Sequence, residues 1–165
     1  MKKNGFTLVE LIITISIFGL MMLVSVPNIT SMVDKNKRKV YINDAKKLVK
    51  LARYKFYTTY KDVKPAAGTC ITYSINSLDM SNLETPPNGG TYNNGYSFVK
   101  VTYSGNTYIF KVQLVERYTT TTGAVRYRGV PYTENSELDK SNAKAAKVTQ
   151  TKTDLSGFTS SASGC

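Results

Sequence analysis

Residues 5–33, GFTLVELIITISIFGLMMLVSVPNITSMV, decide how the rest of the chain is organised. Between residues 6 and 33, Glu10 is the one side chain with a full charge. An apolar run of this length predicts a membrane-spanning helix, because about 20 residues suffice to cross the hydrocarbon core of a bilayer. A carboxylate in such a run costs about 2.5–3.5 kcal/mol at mid-depth. We therefore expect Glu10 to have a function.

Two plainer interpretations compete for this stretch. A secretory signal peptide also has a basic start and an apolar centre, but this run is too long, is interrupted by a charge and lacks a small-x-small cleavage site. A generic single-pass anchor fits the length but gives no reason for a glutamate inside the span.

Lys2, Lys3 and the segment GFTLVE at residues 5–10 resemble the processing site of type IV pilins and pseudopilins. The shared pattern is a basic leader, Gly, Phe, a hydroxyl residue, two aliphatic residues and Glu, followed by a long apolar helix. The resemblance implies that a membrane peptidase cuts after Gly5 and methylates Phe6. Pro27 lies near the point where pilin helices commonly carry a proline, and we predict a mild bend there because proline removes a helical hydrogen bond. The resemblance covers about the first third of the chain.

Glu10 needs a cationic partner if it lies among apolar side chains. Cleavage would free the amine of Phe6, and the spacing i, i+4 allows that amine and Glu10 to meet on one helix. The resemblance instead implies a pair between Glu10 and the Phe6 amine of a neighbouring subunit, which would set the register of assembly. The sequence leaves both pairings open.

The chain is strongly basic, with 22 Lys and Arg against 11 Asp and Glu, and residues 34–64 hold most of the excess. A weak polyanion-binding segment is predicted just after the apolar run, at Lys35, Lys37, Arg38 and Lys39. The same residues would place the following domain inside the cell by the positive-inside rule. The resemblance implies the opposite orientation, because leader cleavage occurs on the cytoplasmic face.

An amphipathic pattern follows the apolar run, so we predict one helix from residue 6 to about 59. Its apolar stripe consists of Tyr41, Ala45, Leu48, Ala52, Phe56 and Tyr60. Residues 75–83 predict a short helix or compact loop. Strands are predicted at residues 96–103 and 107–115, with a second hairpin over 117–130 that turns at Gly123 and ends before Pro131.

The later segments give weaker patterns. Residues 134–147 predict a short helix or a loop, residues 147–151 a last strand, and residues 156–164 a tail that is mobile unless anchored. The predicted fold is α+β, a long N-terminal helix packed on an antiparallel sheet, as in type IV pilins. The predicted division is a leader (1–5), a transmembrane and assembly helix (6–33), an amphipathic half (34–64) and a globular head (65–165).

Cys70 and Cys165 are the two cysteines of the chain. An even number of cysteines in an extracytoplasmic domain predicts one bridge, which would close a loop of about 95 residues and contribute about 4–5 kcal/mol. Pilin disulfides usually join two late cysteines, so Cys70 departs from that pattern. Free thiols or a bridge between subunits are the alternatives.

The sequence contains no histidine, no CxxC pair and no phosphate-binding glycine loop, so we expect neither an enzyme nor a cofactor. The resemblance implies a pilus subunit that serves adhesion, motility or DNA uptake. Its partners would be other pilins, the prepilin peptidase and the assembly machinery. We expect it in the cytoplasmic membrane first and in a surface filament afterwards. The alternatives are a pseudopilin of a secretion or competence system, and a membrane-tethered module that binds DNA or cell-wall polyanions nonspecifically.

Overall fold

The computed structural model describes residues 7–78, 85–104, 106–138, 148–149 and 151–164, without the side chains of residues 24–28. The described elements form an α+β fold, as predicted: one long helix followed by an antiparallel sheet. Contacts divide the chain into two compact units, Met1–Asn36 and Lys37–Cys165. The helix α1 is Leu8–Thr59, and the strands are β1 Cys70–Ser74, β2 Thr91–Tyr92, β3 Phe98–Ser104, β4 Thr107–Thr119 and β5 Val125–Glu134. Single 3₁₀ turns lie at Ile75–Ser77 and Asn135–Leu138.

The sheet is built around β4, which pairs with three other strands. Along one edge β4 pairs with β3, from Ser104↔Thr107 to Phe98↔Gln113, and then with β2. Along the other edge it pairs with β5, and β1 pairs with β3. All these pairs are antiparallel, so β3 and β4 form the predicted hairpin.

One face of this sheet packs against the second half of α1. The predicted stripe of α1 is buried from Tyr41 to Phe56, and Tyr60 packs at its end. The facing sheet residues alternate along the strands, as the period of two requires. They are Val99 and Val101 of β3, Phe110, Val112 and Leu114 of β4, and Val130 of β5.

The structure corrects the prediction of where the second hairpin begins and ends. The predicted strands 107–115 and 117–122 are one strand, β4, of 13 residues. Pro131 does not end β5, which continues to Glu134. The register between β4 and β5 shifts between Val112 and Leu114, so Pro131 lies in a bulge, where a residue without a backbone N–H is tolerated.

Two strands were missed, and other predictions are met only in part. β1 and β2 were not predicted. β1 has only five residues and β2 only two, so neither is long enough to show a clear alternation of apolar and polar residues. Residues 75–77 form a 3₁₀ turn, in line with the predicted short helix, and residues 135–138 form another. Lys152 forms a bridge to Tyr127 next to the predicted last strand. Residues 79–84, 139–147 and 150 lie outside the described part.

The first half of α1 continues as helix through Pro27. The bend expected at Pro27 stays a prediction. Among the residues that the structure describes, no helix combines the length and the hydropathy that a membrane span requires.

Candidate functional site

The carboxylate of Glu10 closes the N-terminus of α1. Its Oε2 atom accepts hydrogen bonds from the backbone N of Thr7 at 3.1 Å and from the Thr7 hydroxyl at 2.9 Å. In return, the backbone N of Glu10 donates to the Thr7 hydroxyl at 3.3 Å. This reciprocal pattern is a capping box, which satisfies backbone donors that the first helical turn leaves unpaired.

Thr7 was not predicted as a partner of Glu10, although the sequence contains the signal. Thr-x-x-Glu before an apolar run is the sequence signature of a capping box. Gly5 and Phe6 lie outside the described residues, so neither predicted pairing of Glu10 with the Phe6 amine is tested here. Glu10 therefore has a partner in its own chain before any amine is freed.

The first half of α1, up to Val33, presents apolar side chains on all sides. The exposed large apolar residues of this half are Leu8, Val9, Leu11, Ile12, Ile13, Ile15, Ile17, Phe18, Leu20, Met21, Met22, Leu23, Ile29, Met32 and Val33. Soluble monomers rarely expose so large a continuous apolar surface, which marks a membrane or protein interaction site.

Two hydroxyl groups within this apolar half, those of Thr14 and Ser16, bond to the helix itself. The Thr14 hydroxyl donates to the carbonyl oxygens of Glu10 at 2.9 Å and Leu11 at 2.8 Å, and the Ser16 hydroxyl donates to that of Ile12 at 2.8 Å. A hydroxyl that bonds to its own helix needs no partner from outside. These side chains therefore add little cost when the helix packs among apolar neighbours.

In the second unit, Glu116 of β4 joins the helix and the loop before β2. Its buried carboxylate accepts from the backbone N atoms of Asn88, at 3.1 Å, and Gly90, at 2.9 Å. Its other oxygen accepts from the Tyr41 hydroxyl and from Nδ2 of Asn88. One side chain thus ties together β4, the loop at residues 88–90 and α1.

A second buried carboxylate, Asp44, lies one helical turn after Tyr41. Its Oδ2 atom accepts from the Tyr92 hydroxyl at 2.5 Å, and its Oδ1 atom lies 3.7 Å from Nζ of Lys47. Burial and the neighbouring carboxylates, Glu116 for Tyr41 and Asp44 for Tyr92, raise the pKa of both tyrosines above the usual value. The helix is therefore fixed to the sheet by two tyrosine–carboxylate hydrogen bonds, one of them fully buried, as well as by apolar packing.

The tail crosses the face of the sheet that α1 leaves free. Gln113 holds Thr159 through two bonds: Nε2 donates to its carbonyl oxygen at 2.6 Å, and Oε1 accepts from its backbone N at 2.9 Å. Buried Lys100 donates from Nζ to the carbonyl oxygens of Ser163 and, at 3.1 Å, Gly164. Cys165, the expected anchor, lies outside the described residues, and Gln113 and Lys100 hold the tail through its backbone.

The predicted polyanion segment divides into two kinds of side chain. Lys37 donates to Oδ1 of Asn88 at 2.8 Å, and Arg38 donates to the carbonyl oxygen of Val148 at 2.9 Å. Both are half-buried, whereas Lys35 and Lys39 are exposed. Among the described residues, no group of three or more His, Cys, Asp or Glu side chains could hold a metal ion.

One long N-terminal helix followed by an antiparallel sheet is consistent with a pilin-like fold. Residues 1–26 match the model of the prokaryotic N-terminal methylation motif, the class III leader of type IV pilin family proteins. This motif implies processing by a prepilin peptidase and self-assembly. No curated protein matches the chain significantly, and no solved structure does.

Proposed function

We propose that the chain is a structural subunit of a type IV filament on the bacterial surface, which polymerises through the first half of α1. The observation that carries this proposal is the methylation motif at residues 1–26, which includes most of the exposed apolar half of the helix. In the filament, the apolar surfaces of many copies would pack together and the strand-rich heads would face outwards. The apolar surfaces would then stay out of water after they leave the bilayer, with helix–helix packing in place of contact with lipid.

Before assembly, residues 6–33 would lie in the cytoplasmic membrane and residues 65–165 outside it. Residues 1–5 would be removed by the prepilin peptidase, and Phe6 would become the methylated first residue. Glu10 would then exchange its bonds to Thr7 for the amine of Phe6 in a neighbouring subunit. The capping box supports this order, because it gives the carboxylate a partner during membrane residence.

We also propose that the Cys70–Cys165 disulfide closes the head. Cys70 is not a free thiol, and the chain has one other cysteine. Lys100, which binds the carbonyl oxygen of Gly164, pairs across the sheet with Thr72 of β1, two residues from Cys70. Alkylation of the unfolded protein tests this bridge. After reduction both cysteines should be alkylated, and without reduction neither should be. Equal labelling under both conditions would overturn the bridge.

Two substitutions at the helix start separate the charge of Glu10 from its capping role. Glu10→Gln removes the charge and keeps a side chain that a capping box accepts. Thr7→Ala removes the cap, at a cost of about 1 kcal/mol, and leaves the charge. Each variant is expressed in a strain that lacks the parent protein. The measurements are membrane content, the mass of the mature protein and the amount of sheared filament.

The proposal expects Glu10→Gln to reach the membrane, lose residues 1–5 and fail to appear in filaments. Thr7→Ala should still assemble, in reduced amount. Normal filaments from Glu10→Gln would refute the assembly role of the charge. If the protein recovered from cells keeps residues 1–5 and carries no methyl group, the proposed processing is refuted. Labelled electron microscopy then distinguishes a long pilus from the short fibre of a pseudopilin.

A further inference from the structure

A basic cleft lies on the exposed side of α1 near the helix end, in the second unit. It has a volume of about 490 Å³ and is lined by Lys50, Arg53, Tyr54, Tyr57, Thr58 and Lys61. We call it the helix cleft. All six side chains are exposed, whereas Ala52 and Phe56, which lie between them in the sequence, are buried on the opposite side of the helix. At 1.5 Å per residue, the cleft extends about 16 Å along the helix direction.

Two of the lining side chains are held in place from below by aromatic rings. The guanidinium carbon of Arg53 lies 4.9 Å from the centre of the Phe110 ring. The Tyr57 ring lies 5.4 Å from that of Phe56, at a T-shaped angle, and 6.4 Å from that of Phe110. Side chains fixed in this way lose little conformational entropy when a ligand binds.

Tyr54 and Tyr57 nevertheless offer much of their ring surface to solvent. Tyr54 is 75% exposed and Tyr57 is 52% exposed, and they are three residues apart on one helix. Side chains at that spacing are neighbours on the helix surface, with Cβ atoms about 5–6 Å apart. The cleft therefore contains two adjacent aromatic surfaces onto which planar groups can stack.

The charge of the helix cleft is of one sign. Three of its lining residues are cations and, as the structure describes it, none is acidic. A shallow surface whose charges are all positive attracts anions from solution. Phosphates on cations together with bases on aromatic rings are the combination that binds single-stranded nucleic acid. A duplex keeps its bases stacked on one another, so it cannot use the tyrosine rings.

We propose that the helix cleft binds a short segment of single-stranded nucleic acid, with phosphates on its three cations and bases stacked on its two exposed tyrosines. This site is distinct from the segment at Lys35–Lys39 that the sequence predicts. It also does not depend on the proposed filament, because every lining residue belongs to the unit Lys37–Cys165.

The test is fluorescence anisotropy with the full chain in a neutral detergent and two labelled probes. One probe is a short thymidine oligonucleotide, and the other is an abasic strand of equal length and charge. The thymidine strand should bind at least about fivefold more tightly, since stacking is worth about 1 kcal/mol or more per base. Its log affinity should fall against log salt with a slope of about −2, for three phosphate contacts. Equal binding of the two strands would overturn the proposal.

Variants with matched changes test the position of the site. Tyr54→Ala should weaken thymidine binding about fivefold and leave abasic binding unchanged, and the ring is too exposed to be needed for folding. The double variant Lys50→Ala/Lys61→Ala should lose more affinity than Lys35→Ala/Lys39→Ala, which removes the same charge elsewhere. Equal losses from the two double variants, or unchanged binding by Tyr54→Ala, would place the binding outside the helix cleft and refute the inference.

Discussion

The buried carboxylate of Glu116 gives the most quantitative prediction for the head. It accepts four hydrogen bonds, from Tyr41, Gly90 and two donors of Asn88, and it is fully buried. Glu116→Gln keeps the shape, but it replaces one acceptor oxygen by an NH₂ group that faces donors. It also removes the charge that strengthens the other bonds. Each oxygen accepts two of the four bonds, so the NH₂ group leaves two buried donors without their acceptor, which costs about 2–4 kcal/mol.

This loss should be visible as a lower melting temperature of the full chain in detergent. For a chain of this size, 1 kcal/mol corresponds to about 2–4 °C, so we expect a decrease of about 5–15 °C. Near-ultraviolet circular dichroism can follow the transition, because the chain has 12 tyrosines. Asn88→Ala combined with Glu116→Gln should cost less than the sum of the single changes, since the two side chains bond to each other.

Glu134→Gln is the matched control, because it makes the same chemical change at an exposed site. Its carboxylate accepts from the Ser136 hydroxyl at 2.6 Å in contact with solvent. The expected change is within about 0.5 kcal/mol. If Glu116→Gln were as stable as Glu134→Gln, the four bonds would contribute little and our account of how the head holds the helix would be wrong.

Two further predictions concern the strands and the buried tyrosines. A Cβ at Gly129 would lie 1.9 Å from the carbonyl oxygen of Leu114, so Gly129→Ala should push β4 and β5 apart and cost about 3 kcal/mol or more in chemical unfolding. Gly123→Ala, with φ +81° and open space around the Cβ, should cost about 1–2 kcal/mol; a similar loss for both variants would refute the steric reason. The raised pKa values of Tyr41 and Tyr92 mean that these tyrosines ionise at about pH 10 only when unfolded, so stability is kept below that pH and falls above it. The decrease should be about 2.7 kcal/mol per pH unit for the pair, and unfolding curves between about pH 9 and 11 that show no decrease would contradict it.

The sequence predicted those parts of the fold that depend on local pattern. The stripe from Tyr41 to Phe56 is buried, and the hairpin of β3 and β4 is in place, because periods of 3.6 and 2 can be read over ten or more residues. Asp44 was counted only as a charge of the basic segment. Its burial follows from Tyr92, which lies 48 positions later and donates a hydrogen bond to it.

The errors at the second hairpin have the same origin. Pro131 is a strand breaker by itself, and only the shifted register between β4 and β5 makes a place for it. Gln113 and Lys100 are polar residues that alternate with apolar residues along their strands, and the tail covers both of them. Their burial depends on residues 46 and more positions away, so no local pattern contains it.

The sequence alone was enough to recognise the methylation motif at residues 1–26, because such a motif is a short linear segment that does not depend on distant residues. It also determined the division of α1 into an apolar half and a one-sided half. Tertiary structure decided which polar groups are buried, since Glu116, Asp44 and Lys100 become tolerable only when distant donors and acceptors surround them. It also decided the helix cleft, because Phe110 of the sheet holds Arg53 and Tyr57 in place beside Tyr54.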